Sequence, residues 1–223
     1  MIRLENFTIT DNRKREILKD VNIFIPSGSI VSIDGDQSKG KTSLLKAIGL
    51  VNKPNKGSVY LLGKNVKKLN RNEISDLRRE IGIVYQENNF FEDFDLELNI
   101  TYPLVLKRGN KKDIDLALRE LIPWLSLEGL MKKSILELSN AELKLAQFAR
   151  AIIGRPRILL LDNFFLDLEK NIQSKINYLI IALNKIGTSV LIFGPKPLGD
   201  KIKFYKKYSI NSKNLIETQK EKE

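Results

Sequence analysis

The eight residues from Gly35 to Thr42 read Gly-Asp-Gln-Ser-Lys-Gly-Lys-Thr, preceded by the apolar run Ile30-Val31-Ser32-Ile33 and followed by Leu44-Leu45-Lys46-Ala47-Ile48. A strand, a glycine-bounded loop and a helix in this order constrain the chain more than any other feature, because they are the setting of a phosphate-binding loop. A polyphosphate is wrapped by backbone N–H groups at a helix N-terminus, where the dipole also favours anions. Gly35 and Gly40 let the chain turn and approach closely, with Asp36, Gln37, Ser38 and Lys39 between them. Lys41 is expected to reach the β- and γ-phosphates and the Thr42 hydroxyl to ligate Mg²⁺, with Ser43 completing the nucleotide-binding set.

With 223 residues and 42% hydrophobic content, the chain suffices for one sizeable α/β domain with an inserted subdomain. It has no cysteine and no histidine, which removes disulfides, thiolate metal sites and the commonest general base. The start, Met1-Ile2-Arg3-Leu4-Glu5-Asn6, shows no basic region followed by an apolar one, so a cytoplasmic location is expected. The formal net charge of +11 is spread along the chain and reads first as a solvated surface, with no nucleic-acid partner expected. As a functional face it would suit the anionic surface beneath an inner membrane.

Along the chain, short apolar strands at Ile2 to Phe7, Ile17-Leu18 and Val21 to Ile25 lead into the loop strand. They imply an antiparallel β layer feeding a mixed, mainly parallel core sheet. The helix after the loop should end near Gly49 to Asn52, followed by a strand at Ser58 to Leu62, a helix at about Arg71 to Glu80 and a strand at Ile81 to Tyr85. Residues 87–150 read as an inserted helical subdomain between a β-layer and loop part, 1–86, and the rest of the core, 151–223. Within it Phe90, Phe91 and Phe94 stand among acidic residues on a loop, the pattern of a partner surface or of packing beneath the loop. Ile114, Leu118, Leu121 and Leu125 share one helix face, which Pro123 bends or ends. Ile158 to Leu161 is a buried-type strand tipped by Asp162. Beyond it come a helix at about Glu169 to Ile186, a buried strand at Ser189 to Phe193, edge strands within Lys201 to Thr218 and a solvated tail, Gln219 to Glu223.

A carboxylate ending a strand downstream of such a loop is the expected second partner of Mg²⁺. Between the two, Gln86 closes a strand before the helical insertion, and Leu138-Ser139-Asn140-Ala141-Glu142 opens a helix. This order resembles the nucleotide-binding subunits of ABC ATPases, and among them most closely the FtsE family of cell-division ATP-binding proteins. Met1-Ile2-Arg3, Leu77 to Gly82 and Ala149-Arg150-Ala151 through Arg155-Pro156 carry the likeness over nearly the whole chain. The resemblance implies an ABC-type P-loop NTPase fold, ATP and Mg²⁺ as ligands, and an ATP-dependent dimer, homomeric or heteromeric. Thr42, Gln86 and Asp162 would serve the metal. Ser139, with Asn140, Ala141 and Glu142, would form a signature segment reaching the other subunit's γ-phosphate. Residues 87–103 would meet an FtsX-like membrane protein, placing the chain in the cytoplasm, peripheral to the inner membrane. A capping box between Ser139 and Glu142 needs no nucleotide and is compatible with that role.

The departures from the family pattern are specific. Ser38 and Lys39 stand where a glycine and a small residue are usual, Asn140 and Ala141 replace signature glycines, and Thr10-Asp11 lacks the aromatic that would stack on adenine. Asn163 stands at the place of the water-activating glutamate, and Gly194-Pro195 at that of the switch histidine. An amide accepts no proton near neutral pH, so slow or absent hydrolysis is expected, with Asp167 and Glu169 as candidate surrogate bases. The alternative within the same family is a transport or export ATPase, possibly the degenerate half of a heterodimer. A guanine-reading motif is missing, since Asn184-Lys185-Ile186 is followed by Gly187 where aspartate is required.

Overall fold

A computed structural model of the chain describes residues 1–11, 13–35, 40–52, 54–166 and 168–220. Its first sheet is antiparallel and has the order β2-β1-β4-β5, from β1 (Ile2–Thr10), β2 (Glu16–Ile25), β4 (Lys56–Leu61) and β5 (Lys64–Asn65). The buried positions of β1 switch from Ile2 and Leu4 to Phe7 and Ile9. That change of parity requires an extra residue, and Asn6, at φ 46°, supplies it. Asp20 does the same for β2 at φ 47°, so the two short strands expected at Ile17-Leu18 and Val21 to Ile25 are one kinked strand.

The second sheet has the order β10-β9-β3-β8-β7-β6. Four of its strands run parallel, β3 (Ile30–Gly35), β8 (Ser189–Phe193), β7 (Ile158–Asp162) and β6 (Ile81–Val84). β9 (Lys206–Asn211) continues the parallel set on the other side of β3, and β10 (Asn214–Lys220) closes the sheet antiparallel to β9. β9 is therefore interior, not an edge strand as its sequence suggested. Gln219 and Lys220, expected in the tail, pair with Lys207 and Lys206; 221–223 lie outside the described residues. The turn between β9 and β10 puts Ser212 and Lys213 at φ 45° and 74°, the two left-handed residues of a tight hairpin.

Strand β7 shows how the layers are built, since all five of its residues are buried. Ile158 and Leu160 pack with α1 (Lys41–Ile48) and the antiparallel sheet, whereas Leu159 and Leu161 face the core shared with the later helices. The period of two thus divides one strand between two hydrophobic cores, as a sheet covered on both sides requires. The helices are α2 (Arg71–Arg78), α3 (Leu96–Leu106), α4 (Lys111–Leu125), α5 (Asn140–Ile152) and α6 (Lys170–Lys185). Pro123 falls in the last turn of α4, which stops at Ser126 in a left-handed conformation. The parallel strands all point their C-terminal ends toward the start of α1, and the loops at those ends carry Gly35, Gln86, Asn163 and Gly194.

Candidate nucleotide-binding site

The site begins where β3 ends. Gly40 caps α1 at φ 105°, and a Cβ there would lie 2.9 Å from Ile17 Cγ2, so both conformation and space ask for glycine. Among the described residues no side chain caps α1, and its first turn holds no acidic residue. Lys41 is buried and donates its ammonium to the Gly35 carbonyl, keeping the cation folded at the mouth of the loop. Asp36, Gln37, Ser38 and Lys39 lie outside the described residues.

Strand β7 delivers Asp162 opposite Thr42, whose Oγ1 donates to Asp162 Oδ2 at 3.1 Å. The Asp162 side chain is 1% exposed, and its Oδ1 has no hydrogen-bond partner. Burial pushes its carboxyl above the ordinary range, and the Thr42 hydroxyl and the Lys41 and Lys46 ammoniums offset part of that rise. A buried carboxylate oxygen without a donor, beside a hydroxyl and a phosphate loop, fits Mg²⁺, a hard cation held by one or two carboxylates plus substrate phosphates. Among the described residues no group of three or more acidic side chains could hold a metal without such a substrate.

The water-facing side of the cleft is built differently. Asn163 follows β7 at φ 48°, and its Nδ2 donates to Gln86 Oε1 at 2.8 Å. The pair is neutral, so neither member takes up a proton. Gly194 lies directly beneath: a Cβ there would come within 2.1 Å of Asn163 Oδ1, at a φ of 93°. The cleft, about 500 Å³, is walled by Lys41, Thr42, Ser43, Gln86, Asn163 and Pro195 among others. Glu169 is the N-cap of α6, and Asp167 lies outside the described residues.

The segment opening α5 divides. Asn140 and Ala141, with Lys144, line a recess of about 480 Å³ shared with Gln86, Asp162 and Asn163. Ser139 and Glu142 instead turn to each other: the Ser139 backbone N–H donates to Glu142 Oε2 at 2.7 Å, and Glu142 N–H to Ser139 Oγ at 3.3 Å. Beyond the expected residues, Lys144 donates to the Leu166 carbonyl and Arg150 to Asn89, with the Arg150 guanidinium 4.6 Å over the Phe90 ring. Burial lowers Arg150 to about 10. The aromatic loop is tied down by Asn99, whose amide accepts from Phe91 N–H and donates to the Phe91 and Phe94 carbonyls. Packing beneath the loop, one of its two readings, is thus present, while Phe91 keeps 45% exposure.

The strand and helix on either side of the glycine-bounded segment, the Thr42–Asp162 pair and the parallel sheet together have the architecture of a nucleotide-binding cassette. The family described as ABC transporter matches residues 18–165, and the chain belongs to it as an ATP-binding domain. Two curated relatives are similar over 86% of the chain. One is the methionine import ATP-binding protein MetN 3 of Oceanobacillus iheyensis, 32% identical, and the other the cell division ATP-binding protein FtsE of Escherichia coli, 27% identical. The chain spans 58% of the length of the methionine import protein and 86% of that of FtsE. Among solved structures, the dimeric structure of MJ0796, a bacterial ABC transporter cassette, aligns with a TM-score of 0.87 at 27% identity over 96% of both chains. Its post-hydrolysis dimer bound to ADP and Pi gives 0.86 at 25% identity, covering 98% of this chain and 99% of that one.

Proposed function

We propose that the chain is an FtsE-like ATP-binding subunit that binds Mg–ATP, turns it over slowly or not at all, and acts by assembly with an FtsX-like inner-membrane protein in cell division. The observation that carries the low-turnover part is the Asn163–Gln86 amide pair, in which neither member can accept a proton from an attacking water. When bound, Mg²⁺ supplies charge neutralisation at the phosphates. Thr42 and Asp162 would hold it, Lys41 would hold the β- and γ-phosphates, and Asn163 would orient water without accepting its proton. Ser139 would act across a dimer, homomeric or heteromeric, as the dimeric relatives suggest, once its bond to Glu142 opens. The exposed part of the 87–103 region, with Phe91 tilted against Phe94 and Tyr102, would meet the membrane partner. No helix of the described residues is long and apolar enough to cross a membrane, so attachment would come through that partner or the basic surface.

Steady-state phosphate release with the membrane partner tests this. The wild type should stay near background while Asn163→Glu rises by roughly 10²–10⁴-fold. Wild-type release as fast as an intact ABC ATPase would overturn the low-turnover reading. A second reading, a transport subunit for methionine or another small molecule, is favoured by the 32% identity to the methionine import protein. Co-purification with a transporter membrane subunit instead of an FtsX-like protein would select it.

A further inference from the structure

The buried face of α6 breaks its own pattern. Its buried positions, Gln173, Ile176, Asn177, Ile180 and Leu183, follow the helical repeat, yet two of the five are carboxamides. A buried amide costs stability unless its polar atoms find partners. Gln173, 5% exposed, engages both ends of its amide. Its Nε2 donates to the Leu168 carbonyl at 2.8 Å and to the Phe165 carbonyl at 3.4 Å, while its Oε1 accepts from the Leu198 N–H at 2.9 Å. One turn further on, Asn177 Nδ2 donates to the Leu198 carbonyl at 3.2 Å, so α6 holds both backbone groups of Leu198.

The two segments that Gln173 joins both wall the phosphate cleft. Asn163 and Leu166 line it from the segment after β7, and Gly194 and Pro195 from the segment after β8. At the cleft the two already meet, because the Asn163 N–H donates to the Phe193 carbonyl at 2.8 Å and Gly194 sits close against Asn163 Oδ1. Away from the cleft the second segment has little with which to hold itself, since Pro195 and Pro197 carry no N–H. Its anchor is Leu198. Gln173 therefore closes, at the far end, a frame that Asn163 closes at the near end. Asn177 grips the second segment only, so of the two amides it is Gln173 that spans both.

We propose that Gln173 is a positioning residue for the terminal phosphate: it holds Asn163 and Pro195 together before the nucleotide arrives, and so sets a preference for Mg–ATP over Mg–ADP. This rests on the reading of the cleft as a Mg–nucleotide site in which Asn163 orients water at the terminal phosphate. Walls arranged in advance remove an ordering cost from binding, and if loss of the link leaves that arrangement about a tenth populated, a ligand that needs it binds roughly tenfold more weakly. ADP lacks the terminal phosphate and relies on Lys41 and the start of α1. The test is calorimetric titration of Mg–ATP and Mg–ADP into the wild type and the Gln173→Met, Gln173→Asn, Asn177→Ala and Lys41→Ala variants, with Tm measured for each. Gln173→Met keeps the length and loses both bonds, so it should weaken Mg–ATP roughly tenfold and Mg–ADP by no more than about twofold. Gln173→Asn keeps the amide but is one methylene too short to reach both segments, and it repeats the test should the methionine variant not fold. Asn177→Ala should lower Tm as the Gln173 variants do, yet leave the ratio of the two affinities within about twofold of wild type. Equal weakening of both nucleotides by the Gln173 variants, an unchanged ratio, or the same shift in Asn177→Ala would overturn the positioning role alone. Failure of both nucleotides to bind the wild type, with Lys41→Ala indistinguishable from it, would overturn the nucleotide site as well.

Discussion

Two helices of this chain begin beside the same group of strand ends, and their first turns are opposites. α1 starts at Gly40 with no side-chain cap and no acidic residue in its first turn. α5 starts at Ser139 with a complete capping box and carries Glu142 in its first turn. Among the described residues the first has no counter-charge at its positive end; the second has satisfied its own donors and put a carboxylate over its dipole. The Ser139 hydroxyl and backbone N–H hold the Glu142 carboxyl below its ordinary range, so that end is negative at neutral pH. A shared position in the fold therefore does not make a shared anion site. What separates them is whether the sequence supplies its own cap.

The largest test of this contrast is at α1. Lys41→Ala removes the cation that joins the Gly35 carbonyl to the helix start, and should weaken Mg–ATP on the order of a hundredfold, as loss of charge-assisted bonds to phosphate does. Calorimetric titration reads this, with circular dichroism to show that the fold persists. Retained affinity would mean that the open helix end is not the phosphate site.

A smaller and opposite pair of effects is expected at Asp162. A carboxyl whose folded pKa is raised by burial costs stability once it ionises, so that cost is absent below its unfolded value and complete above the raised one. Asp162→Asn should therefore stabilise the ligand-free protein at neutral pH by about 1 kcal/mol, seen as roughly 2–4 °C in Tm, and lose that advantage in acid. The same variant should abolish the Mg²⁺ dependence of nucleotide binding. A fall in Tm at neutral pH would show that the buried carboxylate holds the fold together instead of waiting for a cation.

Residue pattern disclosed the strand and helix flanking the glycine-bounded segment, the buried Asp162 at the end of β7 and the parallel core, because Ile30 to Ile48 and Ile158 to Asp162 are contiguous in sequence and each declares its own environment. It failed where identity depends on pairing. β9 became interior only because β3 offers it a second edge, which local polarity does not reveal. β2 looked like two strands because the Asp20 bulge breaks the alternation without breaking the ladder. The Asp11–Arg15 ion pair was hidden for a similar reason: it closes the turn between β1 and β2, whose register had to be known. Asn184, read only as a failed guanine motif, proves to donate to the Gly28 and Thr188 carbonyls and ties α6 to the turn before β3.

The smallest effects belong to the capped helix. Ser139→Ala removes the N-cap acceptor and the hydroxyl that bonds Glu142, and caps of this kind contribute about 1 kcal/mol. The expected loss is roughly 2–4 °C in Tm, with the monomer's affinity for Mg–ATP unchanged because neither residue lines the cleft at α1. Glu142→Gln keeps a hydrogen-bonding group and loses only the charge. Since the folded pKa of Glu142 is depressed, its contribution is present above the unfolded value, near 4.5, and fades as pH falls through the folded one. The wild type and Glu142→Gln should therefore differ in thermal stability at neutral pH and converge in acid. If Ser139→Ala instead weakened Mg–ATP binding in the monomer, the two helix ends would be acting on one ligand, and the contrast between an open and a closed terminus would fail.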